Sequence, residues 1–295
     1  MRRDHFCFQF VCVLSLLGCG APQPITSCES IGAATPLCGF QNPEDLALLP
    51  GGRHVLVSEY GDSGQRAGRI SLLDLDSNEH TSLFAGAEPA APGPWGAPDC
   101  AGPPSKAFSP HGIHLSQRAD GVLQLLVVNH GGRESVEMFE VTRAEERWQL
   151  AWRGCAETPE DLLNDVVALP EGGFLATRFA PKSTLALLFS MSKSMLFGSA
   201  TGWVYAWSRE RGFSEVPGTR TAGSNGVELS ADGEKIFLNL TLASEVLRID
   251  RRSGAIEARA SVPLPDNSTW TNDGRLLVAS LRGPQRDLFS CSGIE

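Results

Sequence analysis

Between Asp45 and Phe84 the chain alternates short apolar stretches with polar turns: DLALL, the turn PGG, HVLVSEY, RISLLDLD, the turn SN, and EHTSLF. Runs of this length, rich in Val, Ile and Leu and closed by Gly, Pro, Asn and Ser, predict four short antiparallel strands joined as a meander. The plan recurs in HGIHLS, LQLLVVNH, SVEMFEVT and RWQLAW, and the hairpins VVALPEGGFLAT, VELSADGEKIFLNL and TWTNDGRLLVAS open further copies. Starts near residues 44, 111, 164, 225 and 267 are spaced by about 40 to 65 residues, the interval of propeller blades with loops of variable length. The pattern therefore predicts an all-β propeller of four-stranded antiparallel blades. One apolar insertion, STLALLFSMSKSMLFGSA from Ser183, falls between strands of the third repeat. A lid helix over the channel mouth, a membrane-contacting patch and plain packing against the blade all fit it.

The inner strand of each repeat opens on residues that are poor strand formers: Glu44 and Asp45, Asn164 and Asp165, Asn225, Asp266 and Asn267. In a propeller every innermost strand starts beside the central channel, so these positions converge although they are distant in the chain. Buried carboxylates repel one another, and each unpaired buried polar group costs roughly 1 to 3 kcal/mol. A cation relieves both costs. Donors that are all oxygen, part carboxylate and part amide, suit calcium better than zinc or iron.

The chain has 295 residues, 42% of them hydrophobic, and a formal net charge of -9. That length supports one large domain or two ordinary ones. An acidic balance without basic blocks argues against a nucleic-acid partner. Residues 1–18 form an export signal, with two early arginines and an apolar run, Phe6 to Leu17, too short to span a bilayer. The signal ends in LLGC, a bacterial lipobox, so Cys19 is the expected lipidation site and membrane anchor, and residues 19–43 the tether and N-terminal segment before a propeller domain at 44–295. Gly20 after Cys19 favours the outer membrane within the envelope. Of the eight cysteines, Cys28, Cys38, Cys100, Cys155 and Cys291 follow the anchor; an odd number leaves at least one thiol without a partner in the chain.

The segments PEDLALLP, SPHGIHL, LLVVNHGGRESVEMFEV, LLNDVVALP, SNGVELSADGEKIF and DNSTWTNDGRLLV resemble the paraoxonase or arylesterase family, calcium-dependent six-bladed propellers more distantly similar to the gluconolactonase-like SMP-30 group. The resemblance runs from about Cys28 to about Leu281. It implies two calcium ions in the channel. The catalytic ion would be held by Glu44, Asn164, Asn225, Asp266 and Asn267, and the structural ion by Asp45, Asp165 and the backbone carbonyl of Ile113. It also implies a histidine dyad, His111 and His130, and a lactone or aryl ester as substrate. Calcium polarises an ester carbonyl and stabilises its oxyanion, while a histidine accepts a proton from the attacking water.

The pocket wall departs from the family. Phe179 and Ala180 stand where an Asp and a His are usual, Gly223 where an aromatic residue is usual, and Leu281 where a histidine is usual. Two other readings share the metal set: a calcium-stabilised propeller that binds a ligand or partner without turnover, and an SMP-30-like sugar lactonase with one metal. GDSGQ at Gly61 and DLDSNE from Asp74 are read as turns. The repeat count gives about five blades, so a sixth is expected to be missing or incomplete, with Cys28 or Cys38 left without a C-terminal partner.

Overall fold

A computed structural model describes residues 28–281, apart from 31, 34, 63–65, 88–92, 94, 146 and 159–160. The export signal, the lipidation site Cys19 and Cys291 lie outside the described residues.

Four complete meanders follow one another. The first blade is β1 (Pro43–Leu48), β2 (His54–Glu59), β3 (Arg69–Asp74) and β4 (His80–Phe84), hydrogen-bonded in that order. The second is β5 (Pro110–Gln117), β6 (Leu123–Asn129), β7 (Ser135–Ala144) and β8 (Arg147–Glu157). The third is β9 (Asp161–Ala168), β10 (Phe174–Pro181), β11 (Trp203–Ser208) and β12 (Gly212–Glu215), with the helix α1 (Thr184–Phe197) inserted before β11. The fourth is β13 (Ser224–Leu229), β14 (Lys235–Leu240), β15 (Glu245–Asp250) and β16 (Ile256–Ser261), and a hairpin of β17 (Pro265–Trp270) and β18 (Leu276–Ser280) follows. The architecture is an all-β propeller fold in which four full blades are present among the described residues. The inner strands β1, β5, β9, β13 and β17 neighbour one another in sequence order.

Strand alternation explains why the middle strands read as unbroken apolar runs. Along β6, Leu125 and Val127 enter the core shared with the first blade, while Leu126 and Val128 enter the core shared with the third. Along the third blade, Val166 and Ala176 face back to the second blade, whereas Val167 and Leu175 join Val227, Ile236 and Leu238 of the fourth. Both faces of an interior blade are buried, so a two-residue period places apolar side chains on each.

The insertion from Ser183 is helical, and its C-terminus is closed by Gly198 in the left-handed conformation. Helix α1 leaves Leu185, Leu188, Phe189, Leu196 and Phe197 exposed. Among the described residues no helix is long and apolar enough to cross a membrane.

Four cysteines pair among the described residues: Cys28 is bonded to Cys38 and Cys100 to Cys155, so the partner of Cys28 and of Cys38 is local and not C-terminal. The second bond fastens the Pro- and Gly-rich loop before β5 to the outer strand β8.

A channel-end cluster of buried carboxylates and amides

Every inner strand carries a break in its pairing register where the polar residues stand: between Pro43 and Asp45, Pro110 and Ile113, Ser224 and Val227, and Pro265 and Ser268, with the break for β9 on the facing β10 segment. A bulge adds a residue to one strand, bends it and re-aims side chains. This is the local reason that carboxylates and amides replace strand formers there: they occupy the bulge, not the ladder. The second and third residues of β1, β5, β13 and β17, with the matching pair in β9, therefore form two tiers. One tier is Glu44, His111, Asn164, Asn225 and Asp266; the other is Asp45, Gly112, Asp165, Gly226 and Asn267.

From Asp45 to Gly226 the second tier alternates acid and glycine, and packing accounts for it. The Asp45 amide donates to Ser58 Oγ (2.9 Å), while Oδ1 accepts from Leu46 N–H (2.7 Å) and Oδ2 from Ile113 N–H of the next blade (2.8 Å). Asp165 repeats the arrangement with Thr177 Oγ1 (2.9 Å), Val166 N–H (2.7 Å) and Val227 N–H (2.8 Å). Each aspartate thus clamps its inner strand to the following one. At Gly112 a Cβ would lie 2.6 Å from both Asn164 O and Asp165 Oδ1, and at Gly226 one would lie 2.3 Å from Asp266 O. No side chain fits between consecutive clamps.

Side chains tie the first tier together and join it to Asn267 of the second. Asn267 Nδ2 donates to Glu44 Oε1 (3.2 Å), and Asn225 hydrogen-bonds the Asp266 carboxylate. His111 sits between, with Nδ1 2.9 Å from Asn164 O and Nε2 3.3 Å from Glu44 Oε1. A carbonyl only accepts, so Nδ1 carries the hydrogen and Nε2 is the basic nitrogen of the neutral ring. Burial first, and then the neighbouring His130, lower the His111 pKa to about 3, so the ring is neutral at physiological pH. The two imidazoles meet edge to face at 5.0 Å between centroids, and the Tyr60 ring lies 5.7 Å from one and 5.8 Å from the other.

Electrostatics mark the cluster as incomplete by itself. Burial pushes Glu44 and Asp165 well above the usual carboxylate range, with the Asp45 charge adding to each. Burial and then Asp266 raise Asp45 to about 7, and burial raises Asp266 itself. Glu228, two residues past Gly226 on β13, is pushed up to about 7 by the same burial and by Asp45. Glu44 Oε2, Asn164 Oδ1, Asn225 Oδ1 and Asn267 Oδ1 are buried and receive no hydrogen bond. Among the described residues the other buried oxygens in that condition, Asn239 Oδ1 and Ser268 Oγ, adjoin the same set. Acceptors without donors, beside carboxylates that burial discourages from ionising, fit a hard cation with oxygen ligands. Among the described residues no three His, Cys, Asp or Glu form a metal-holding group by themselves; the amide oxygens complete the donor set.

These contacts bring together the side chains of Glu44, Asp45, Asn164, Asp165, Asn225, Asp266 and Asn267 with both histidines. Ile113 is present through its amide, which Asp45 accepts. Residues that motif reading passed over are Glu228 and Glu134. Glu134 is buried, with its two carboxylate oxygens 2.8 and 2.9 Å from His130 Nδ1; its sequence signal was only its place four residues after that histidine. The departures sit as follows: Ala180 is buried, Phe179 half-buried and Leu281 exposed. At Gly223, where φ is +69°, a Cβ would lie 2.6 Å from Leu242 Cγ, so any side chain there is strained and must displace Leu242.

The family model described as Arylesterase matches residues 41–258. Serum paraoxonase/arylesterase 1 of Homo sapiens is 27% identical over 210 residues, covering 69% of this chain and 54% of that protein. The chain thus spans about half the length of the curated relative it matches. Among solved structures, a gluconolactonase from Xanthomonas campestris aligns with a TM-score of 0.47 at 18% identity, covering 82% of this chain and 70% of the other. The calcium-binding protein regucalcin from Agrobacterium tumefaciens aligns with a TM-score of 0.46 at 14% identity, covering 83% and 69%.

Proposed function

Because the chain belongs to the arylesterase family, we propose that it is a calcium-dependent hydrolase of lactones, aryl esters or both. The observation that carries the proposal is the set of four buried, donorless oxygens on Glu44, Asn164, Asn225 and Asn267. Together with Asp266 they would hold the catalytic calcium, while Asp45, Asp165 and the Ile113 carbonyl would hold a second, structural ion. Bound there, calcium supplies a Lewis acid for the carbonyl oxygen of the substrate and a counter-charge for its oxyanion.

The chain's own residues supply the rest. Asn164 O fixes the His111 tautomer, so Nε2 presents its lone pair beside Glu44 and accepts the proton of the attacking water. His130 takes that proton onward or orients the ring. Tyr60 packs on the edges of both imidazoles and limits their solvent contact. The wall at Phe179, Ala180 and Gly223 differs from that of the family, so the acyl and leaving groups are a property of this chain. Envelope localisation through a lipid on Cys19 belongs to the same proposal, and metabolic labelling with palmitate that is lost in Cys19→Ala tests it.

The deciding experiment is a calcium titration of the purified protein on a panel of phenyl esters and lactones, with bound calcium counted. Turnover that vanishes on chelation and in His111→Gln, with two ions bound, is expected. Turnover indifferent to chelation overturns the proposal. Calcium-raised stability without any turnover identifies a non-catalytic binding propeller, and a single bound ion an SMP-30-like lactonase.

A further inference from the structure

Glu134 lies in the turn between β6 and β7, with its side chain buried. Both of its carboxylate oxygens face His130 Nδ1, at 2.8 and 2.9 Å. Oε1 also accepts from Leu163 N–H at 2.8 Å, and Lys182 Nζ stands 3.8 Å from Oε2. Leu163 immediately precedes Asn164, whose carbonyl accepts from His111 Nδ1. One buried carboxylate therefore touches the second histidine directly and grips the backbone beside the atom that fixes the first.

We propose that Glu134 is the positioning residue of the histidine pair: it holds His130 as the Nδ1–H tautomer and sets the His130 ring against His111. An ionised carboxylate accepts and does not donate, so the Nδ1 facing it carries the hydrogen, and Nε2 is the basic nitrogen of His130 as it is of His111. Both rings then offer a free basic nitrogen, which a proton relay between them needs. The clamp on Leu163 adds a second effect, because the β9 bulge cannot shift without moving Asn164 O and with it the His111 ring. An acid that orients a histidine through its far nitrogen is a general device for fixing tautomer and direction. The relay part of this inference rests on the hydrolase reading; the tautomer part does not.

The test compares wild type with Glu134→Gln. The variant's amide oxygen can still accept from Leu163 N–H, while its NH2 group turns a donor toward His130. Histidine side-chain nitrogen NMR of the calcium-loaded protein is expected to show His130 protonated at Nδ1 in wild type and at Nε2 in the variant. Ester turnover is expected to show kcat reduced about 10- to 100-fold, with KM and the calcium midpoint within about twofold. An Nε2–H tautomer in wild type overturns the proposal without any variant, which covers a Glu134→Gln protein that does not fold. Retention of the Nδ1–H form in the variant, or a kcat within about twofold of wild type, also overturns it. A wild type without turnover tells against the hydrolase reading, and the tautomer comparison then decides the positioning claim alone.

Discussion

All six residues of β13, Ser224 to Leu229, are buried, whereas in the neighbouring β17 only Pro265 is. Both strands carry proposed calcium ligands: Asn225 on the first, Asp266 and Asn267 on the second. The first is held by packing, since Val227 and Leu229 sit in a core with Ile236, Leu238 and Leu247. The second is held by individual hydrogen bonds. Thr241 Oγ1 donates to Pro265 O (2.6 Å), Trp270 Nε1 to Leu229 O (2.6 Å), and the Asn239 amide to Asp266 O. Among the described residues β17 pairs with β18 alone. A ligand placed by packing is in position before any cation arrives; one placed by a few bonds gains more from the cation.

The largest expected effect is that of removing calcium, and it should fall unevenly. In chelator, hydrogen exchange is expected to accelerate across β17 and β18 far more than across β13 and β14. Equal acceleration in the two regions would erase the contrast. The chelated protein should also lose stability as pH rises from about 4 toward 7. Asp45 moves from an ordinary 3.8 to about 7 in the fold, and Glu44 and Asp165 move the same way. Raised acids bind more protons folded than unfolded throughout that window, so their contribution is full below it and is lost as pH climbs through the folded values. Saturating calcium should flatten the dependence, and melting curves across pH with and without calcium check both statements.

Much of this arrangement was legible in the chain because the signal repeats. A polar pair at the start of one strand means little, but Glu44–Asp45, Asn164–Asp165 and Asp266–Asn267 occupy one place in successive repeats, and that periodicity is a property of sequence. The five inner-strand starts were readable for the same reason, whereas the insertion from Ser183, which occurs once, left a helix as one of three readings. What was not legible depends on contacts between blades. Nothing local says that Gly112 is glycine because Asp165 of the next strand crowds it, or that Glu228 is buried near Asp45. Glu134 acquires meaning only once β9 lies alongside it. The Cys28–Cys38 pairing was missed because a cysteine count limits how many partners exist without naming them.

Within the packed region, Leu126→Ala removes a side chain enclosed between the second and third blades. A loss of about 2 to 5 kcal/mol is expected from urea unfolding in calcium. A smaller step is Gly112→Ala. Its added methyl meets backbone and a carboxylate that already accepts two hydrogen bonds, so neither can yield freely. A cost of about 1 to 3 kcal/mol is expected, together with a weaker calcium midpoint, since Asn164 and Asp165 must move to make room. An unchanged calcium midpoint would show that the two tiers are not coupled through this contact.

The smallest effect belongs to the hairpin. Leu277 on β18 is 54% exposed, and on the first blade Leu46 and Leu48 are 61% and 56% exposed. Leu46 pairs with Val57 and Leu48 with Val55, so both stand on the face of that blade turned away from the core shared with the second blade. A side chain that stays half in water has little transfer free energy to lose, and substitutions at such sites fall within about 0.5 kcal/mol. Leu277→Ala should therefore leave the urea midpoint and the calcium midpoint close to wild type. Paired measurement with Leu126→Ala on the same day and in the same buffer makes the contrast internal, because errors of extrapolation are shared. A loss above about 2 kcal/mol for Leu277→Ala would mean that the hairpin face is covered in the intact molecule, and the distinction between a packed β13 and a bonded β17 would then have to be withdrawn.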